Sequence, residues 1–258
     1  LARKKQHVLF VLGMPWNEMS CLPRISFDSL LQFLMKFLFL LSSVLLARTS
    51  ADYFFVETFE EDGVFERWIK SEQEDYSIGN AAIHIKVPIT NIEDEQFVND
   101  RGLQLTLDGH NKYGIMRRLP EPFSGKGHAT VIQYEVKLEE GLACGGAYIK
   151  LLRPGADAAM LDNNTPYSIM FGPDRCGGTD KVHFILQYKH PITGEWEEKH
   201  MTETPNIKHD RSTHLYTLAI GTDNQFQVFI DSDLVRVGSL LDSRALAPPI
   251  NPPLEIED

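Results

Sequence analysis

Two short stretches carry side chains that could grip a polyhydroxylated ligand. In CGGAYIKLL, residues 144–152, the alternation after the glycines places Ala147, Ile149 and Leu151 on one face of a strand and Tyr148 and Lys150 on the other. TPYSIMFGPDRCGG, residues 165–178, contributes Tyr167, Met170, Asp174 and Cys176. A tyrosine ring offers an apolar body to the C–H groups of a sugar, while its hydroxyl, with a charged partner such as Lys150, bonds the sugar hydroxyls. Glu198, in GEWEEKH, adds an acceptor. An isolated Tyr-x-Lys is more often just the solvated face of an antiparallel strand, so the chemistry depends on the two stretches meeting in space.

A second chemistry is written in YEVKLEE, where Glu135 and Glu139 share a strand face and could pose as the acid and nucleophile of a glycosidase. Lys137 stands between them, and its charge would keep both carboxylates ionised rather than raise one into a general acid. The three residues therefore read as a solvated face of alternating charge. No C-x-x-C or H-x-x-x-H spacing points to zinc, and neither a G-x-S-x-G elbow nor a phosphate-binding glycine loop occurs.

The compartment follows from the first fifth of the chain. Residues 35–51, MKFLFLLSSVLLARTSA, join a lysine, an apolar run and small residues near a cut, the pattern of a secretory signal peptide. A signal anchor is the rival, but Gln32, Lys36 and Arg48 leave the clean apolar run too short to span. Residues 1–34 lie ahead of it, begin with Leu and show no sustained amphipathic period, so translation is expected to start at Met35 and the leader to be absent from the mature protein. The formal net charge of −11 becomes more negative without residues 1–51, because six basic side chains leave with two acidic ones. An acidic secreted domain argues against nucleic acid and anionic lipid as partners and is compatible with calcium. Cys21 leaves with the leader, and two cysteines in an oxidising compartment mean one bridge, Cys144 to Cys176. With that bridge formed, the Gly145-Gly146 and Gly177-Gly178 pairs let both backbones take conformations that a Cβ would forbid, and two tyrosines are held beside Lys150.

The elements that must position these groups are strands. Eleven period-two runs follow residue 51, from YFFVETF through ATVIQYEVKL, KVHFILQY and HLYTLAI to LVRVGSL, with Gly, Pro, Asn and Asp between them and no long amphipathic helix. The expectation is an all-β, concanavalin-like two-sheet antiparallel β-sandwich, or jelly roll. SEQEDYSIGN and TNIEDEQFVND read as surface loops or strand edges, and the four prolines of LAPPINPPLEIED bar a central strand there.

Taken together, ETFEEDGVFERW, DRGLQL, VIQYEVKLEEGLACGGAYIKLL, TPYSIMFGPDRCG, KVHFILQYKHPITGEWEEKH, THLYTL and PPINPPLEIED resemble the luminal lectin domain of the calnexin and calreticulin family. TPYSIMFGPD, GEWEEKH and EIED look more like calnexin. The resemblance runs from about Tyr53 to Asp258. It implies a calcium-dependent lectin chaperone, not an enzyme, that binds monoglucosylated high-mannose N-glycans on unfolded glycoproteins in the endoplasmic reticulum. Tyr148, Lys150 and Tyr167 become the main glucose contacts, Met170 and Glu198 complete the pocket, and Cys144 and Cys176 form a supporting disulfide. Thr58, in ETFEED, and Asp100, in NDRG, are placed near a structural calcium ion. Asn163 heads an Asn-Asn-Thr sequon that Pro166 directly follows.

The domain division expected is a leader over 1–34, a signal peptide over 35–51, the lectin sandwich over 52–247 and the start of a proline-rich arm over 248–258. Family members continue into that arm, which recruits a protein disulfide isomerase relative, and then return a final strand and helix. A chain ending at Asp258 is expected to lack an acidic residue of the sugar pocket, a calcium-binding aspartate and either a membrane anchor or a KDEL-type signal. A secreted calcium-binding or adhesion β-sandwich is the alternative reading.

Overall fold

The computed structural model describes residues 6–8, 10–12, 53–86, 101–107 and 111–251. All eleven runs read as strands contain one, and the chain folds as an all-β, antiparallel two-sheet sandwich. One sheet is ordered β16 (Asp233–Ser239), β15 (Gln225–Ile230), β14 (Thr213–Ile220), β8 (Thr130–Leu138), β2 (Phe10–Leu12) and β3 (Phe55–Glu57), with β1 (Gln6–Val8) also pairing β8. The facing sheet is ordered β10 (Ile149–Leu152), β11 (Tyr167–Cys176), β12 (Thr179–Lys189), β13 (Trp196–Met201) and β17 (Leu246–Ala247), with β9 (Cys144–Gly146) also on β11. Two small ribbons, β4 (Trp68–Lys70) with β7 (Ile115–Arg117) and β5 (Ile83–Lys86) with β6 (Gly102–Leu105), stand outside both sheets.

Alternation builds the core. Along β8, Ile132, Tyr134, Val136 and Leu138 are buried and meet Ile149, Ile169, Phe171, Val182 and Phe184 of the other sheet, with Leu218, Phe226 and Val228 beside them. Each inward residue thus has a partner on the opposite inner face, the geometry of a sandwich. A separate cluster of Phe59, Val64, Trp68, Ile83 and Leu103 lies under the ribbons, with Phe55 packed against both clusters.

Three local expectations change. Glu74–Ala81, which takes up most of SEQEDYSIGN and the alanine after it, is a helix rather than a loop. Glu74 and Asp75 sit in its first turn, where carboxylates suit the helix dipole, and buried Asn80 pins it by donating to the Ser71 carbonyl at 2.8 Å and accepting from the Gly114 amide at 2.9 Å. Eight residues holding one buried aromatic give too short an apolar period to read. The glutamates of YEVKLEE do not form a solvated face either: Glu135 and Lys137 are half-buried, and Glu139 lies past the end of β8, buried, accepting from the Gln104 amide at 3.3 Å. CGG is itself paired as β9, and the strand breaks at Ala147 and Tyr148 before resuming as β10. TNIEDEQFVND lies outside the described residues. Of the proline-rich end, the described part holds two residues of edge strand at Leu246–Ala247 and then Pro248.

Tyr216 and Tyr134 are buried in this core and tilt against each other with ring centres 6.2 Å apart. Burial pushes the Tyr216 hydroxyl up to about 12. An unfolded tyrosine titrates near 10, so between about pH 10 and 12 the unfolded chain gives up a proton that the folded chain keeps, and stability falls as pH rises. From pH 8 to 11 Tyr216 should contribute about 1.4 kcal/mol of that fall. Urea unfolding at the two pH values should show a Tyr216→Phe chain losing less stability by about this amount. An unchanged difference would remove Tyr216 from the account.

Candidate carbohydrate site

The outer face of the β10–β13 sheet brings the predicted residues together. Register aligns Lys150 with Met170, Met170 with Ile185, and Ile185 with His200, so one row crosses four strands. Gln187 and Glu198 form the next pair. Strict alternation would send Tyr167 and Met170, three residues apart, to opposite faces. A bulge prevents this. Register shifts at Leu151 and Leu152, pairing Leu151 with Ile169 but Leu152 with Tyr167, and the skipped Ser168 turns Tyr167 onto the face of Met170. Tyr167, Met170 and Ile185 then pack as their own small cluster with Leu152 beside them.

Around that apolar floor stand the polar groups. The Tyr167 hydroxyl donates to Glu198 Oε1 at 2.6 Å, and the Gln187 amide donates to the same oxygen at 3.2 Å. His200 Nε2 lies 3.0 Å from Glu198 Oε2. Glu198 is therefore held from both sides and works first as the organiser of Tyr167. The Lys150 ammonium sits 4.9 Å from the centre of the Tyr167 ring and, among the described residues, donates no hydrogen bond. Burial pulls Lys150 below the usual lysine value, opposed by the charges of Glu198 and Asp162. Tyr167 is pushed well above the ordinary tyrosine value by burial and then by its bond to Glu198, so the phenol keeps its proton and stays a donor.

Tyr148 answers for the glycines. Its ring, 41% exposed, lies over Gly146, where a Cβ would collide with it, and meets the His183 ring edge-on at 6.2 Å. His183 Nε2 is 3.0 Å from Asp174 Oδ2. The Cys144–Cys176 disulfide closes the end of the β9–β11 pair and keeps CGG in register with Asp174 and Arg175. Gly145 and Gly177 take positive φ as the tether requires, whereas nothing around Gly178 calls for glycine. Tyr148 and Lys150 also line a cleft of about 1100 Å³ bounded by Lys112, Phe123 and Asn163. Tyr167, Met170 and Glu198 lie beside that cleft rather than in it.

Sequence reasoning passed over Ile185, Gln187, His183 and His200. Period-two parity in KVHFILQY and EWEEKH would have found them once Glu198 was fixed on the outer face.

The Calreticulin family profile matches residues 55–258. The chain belongs to this family. A calnexin homolog of Glycine max is 41% identical over 211 residues, covering 80% of this chain and 36% of the relative. Calmegin of Bos taurus is 41% identical over 217 residues, with 80% and 35% covered. Among solved structures, the T. cruzi calreticulin globular domain superimposes with a TM-score of 0.63 at 32% identity, over 75% of this chain and 67% of that one. The chain spans about a third of the length of these curated calnexin and calmegin relatives.

The resemblance places Thr58 and Asp100 near a calcium ion. Thr58 is exposed, and Asp100 lies outside the described residues. The carboxylates next to Thr58 are already engaged. Glu57 and Glu61 lie 3.4 and 3.5 Å from Arg67, and Glu60 and Asp62 lie 3.8 and 3.2 Å from Arg101. A hard dication needs six or more oxygens, and among the described residues no cluster of three His, Cys, Asp or Glu is placed to hold a metal.

Proposed function

We propose that this domain is the glycan-binding module of a calnexin-like chaperone, taking monoglucosylated high-mannose N-glycans of unfolded glycoproteins in the endoplasmic reticulum. Lys150 carries the reading. It is a half-buried ammonium whose three N–H groups find no acceptor among the described residues, set over a tyrosine ring and facing an apolar floor. A hexose satisfies each feature: hydroxyl oxygens accept from Lys150, the ring C–H groups lie on Met170, Ile185 and Tyr148, and the Tyr167–Glu198 pair bonds the hydroxyls at the rim. The reading involves no covalent chemistry. It keeps Thr58 and Asp100 as the residues near a structural calcium ion, with the neighbouring carboxylates Glu60, Glu61 and Asp62 in ion pairs with Arg67 and Arg101. A protein disulfide isomerase relative, engaged through a proline-rich arm, belongs to the same reading. No described helix is long and apolar enough to cross a membrane.

The test is calorimetric binding of monoglucosylated against unglucosylated high-mannose glycan. The glucosylated form should bind tighter, and Lys150→Ala should lose about 10- to 150-fold, the worth of a hydrogen bond from a charged donor. Tyr148→Phe keeps the stacking surface and should lose less than Tyr148→Ala. Equal binding of the two glycans, or a folded Lys150→Ala chain with full selectivity, would return this face to an ordinary solvated strand.

A further inference from the structure

Asn163-Asn164-Thr165 is the one Asn-x-Ser/Thr triplet of the sequence, and its middle residue is asparagine rather than the proline that would disqualify it. The triplet lies in the connection between β10 and β11, and that connection is pinned. Asp162 Oδ1 accepts from the Asn164 amide at 2.9 Å and from the Thr165 hydroxyl at 3.1 Å. Ser71 Oγ donates to the Leu161 carbonyl at 2.6 Å, and the Glu72 amide donates to the Ala159 carbonyl at 2.9 Å. Asn163 stands exposed at the turn. Its Oδ1 accepts from the Tyr76 hydroxyl at 3.0 Å, while its Nδ2 donates no hydrogen bond among the described residues. Asn163 also borders the cleft that Tyr148 and Lys150 line, and the charge of Asp162 beside it reaches Lys150.

We propose that Asn163 carries an N-linked glycan of this chain, and that this glycan lies across the cleft and competes there with the glycans of clients. The modification rests on the secretory leader, and the competition rests on the lectin reading above. The donor is an oligosaccharide linked to a lipid diphosphate. Asn163 Nδ2 forms a bond to C1 of the first N-acetylglucosamine, the bond from C1 to the diphosphate oxygen breaks, and the lipid diphosphate leaves while Nδ2 gives up one proton. No electron is transferred. Only the nitrogen is used, so Oδ1 keeps its bond from Tyr76 and the folded turn admits the sugar without rearrangement. Because Ser71 and Glu72 fix the turn, the glycan is rooted on the rim of the cleft. A ligand tethered so close is held at an effective concentration of about a millimolar, enough to oppose a client glycan of micromolar affinity.

The experiment expresses the full chain through a eukaryotic secretory pathway and measures its intact mass before and after peptide-N-glycosidase. Treatment should remove the mass of one glycan and leave aspartate at position 163, and Asn163→Gln and Thr165→Ala chains should carry no glycan. Calorimetry with monoglucosylated high-mannose glycan then compares the forms. The glycosylated chain should bind about 10-fold or more weakly than the treated chain, and Asn163→Gln should bind like the treated chain. A secreted chain without a glycan at Asn163, or a glycosylated chain that binds as tightly as the treated one, would overturn the proposal and leave the glucose site standing. If no form binds the probe, the lectin reading fails, and the competition fails with it whatever the mass shows.

Discussion

Gly172→Ala should destabilise the domain by about 3 to 5 kcal/mol, combining backbone strain at positive φ with overpacking of the core. Gly172 has φ +137, a conformation that L side chains rarely adopt, and it sits in β11 opposite His183. A Cβ built there collides with the Tyr134 hydroxyl and comes within 2.9 Å of both the Ala147 carbonyl oxygen and the Tyr148 Cα. Tyr134 cannot retreat. It is fully buried and donates to the carbonyls of Ala147 at 2.8 Å and Phe171 at 3.1 Å, the bonds that hold the break between β9 and β10 against β11. The added methyl group therefore pushes on the same backbone that presents Tyr148. Denaturant unfolding should record the loss, and glycan affinity should fall in whatever fraction stays folded. In a double-mutant cycle, Tyr134→Phe should cost less in the Gly172→Ala background than alone, because it removes the oxygen in collision. A Gly172→Ala chain within 1 kcal/mol of wild type would show that the strand can shift to admit the methyl group.

Removing the disulfide should cost nearly as much. Cys144 and Cys176 are 32 residues apart, and the chain-entropy model gives about 3.5 to 4 kcal/mol for a loop of that size. For a chain of this length that is a fall of about 10 °C in Tm. The Cys144→Ser, Cys176→Ser double variant should show it, as should wild type under a reductant that reaches the bond. Glycan affinity should drop as well, because the bridge keeps Gly146, over which Tyr148 lies, paired with Asp174, the partner of His183. A double variant with an unchanged Tm would mean that strand pairing alone specifies the β9–β11 register.

Much of this was legible in advance, for physical reasons that differ by element. Period-two alternation is a direct image of burial where one face of a strand meets the core, so ATVIQYEVKL, KVHFILQY and HLYTLAI announce β8, β12 and β14. The helix at Glu74–Ala81 was hidden because what holds it is Asn80, bonded to Ser71 and Gly114, the latter 34 residues away. The charges of YEVKLEE misled for a related reason. Whether a half-polar strand face is solvated depends on what packs over it, and a residue such as Glu139, buried against Gln104, obeys no periodicity.

By itself the sequence determined the kinds of group available, namely two tyrosines, a lysine, a methionine and a glutamate, together with the sandwich that carries them and a cysteine pair able to join two of its strands. Period-two alternation in the sequence also put Tyr148 and Lys150 on one side, and both line the same cleft although Tyr148 lies in the break before β10. The tertiary structure alone decided that Tyr167 and Met170 share that face too. Their spacing of three contradicts alternation, and only the skipped Ser168, a property of how β11 pairs with β10, reverses the contradiction. It likewise decided the partners of Glu198, because Tyr167, Gln187 and His200 come from three strands and register is set by the core on the opposite face. Side-chain chemistry is written residue by residue, but the distances that turn it into a site are set by pairings between residues far apart in the chain.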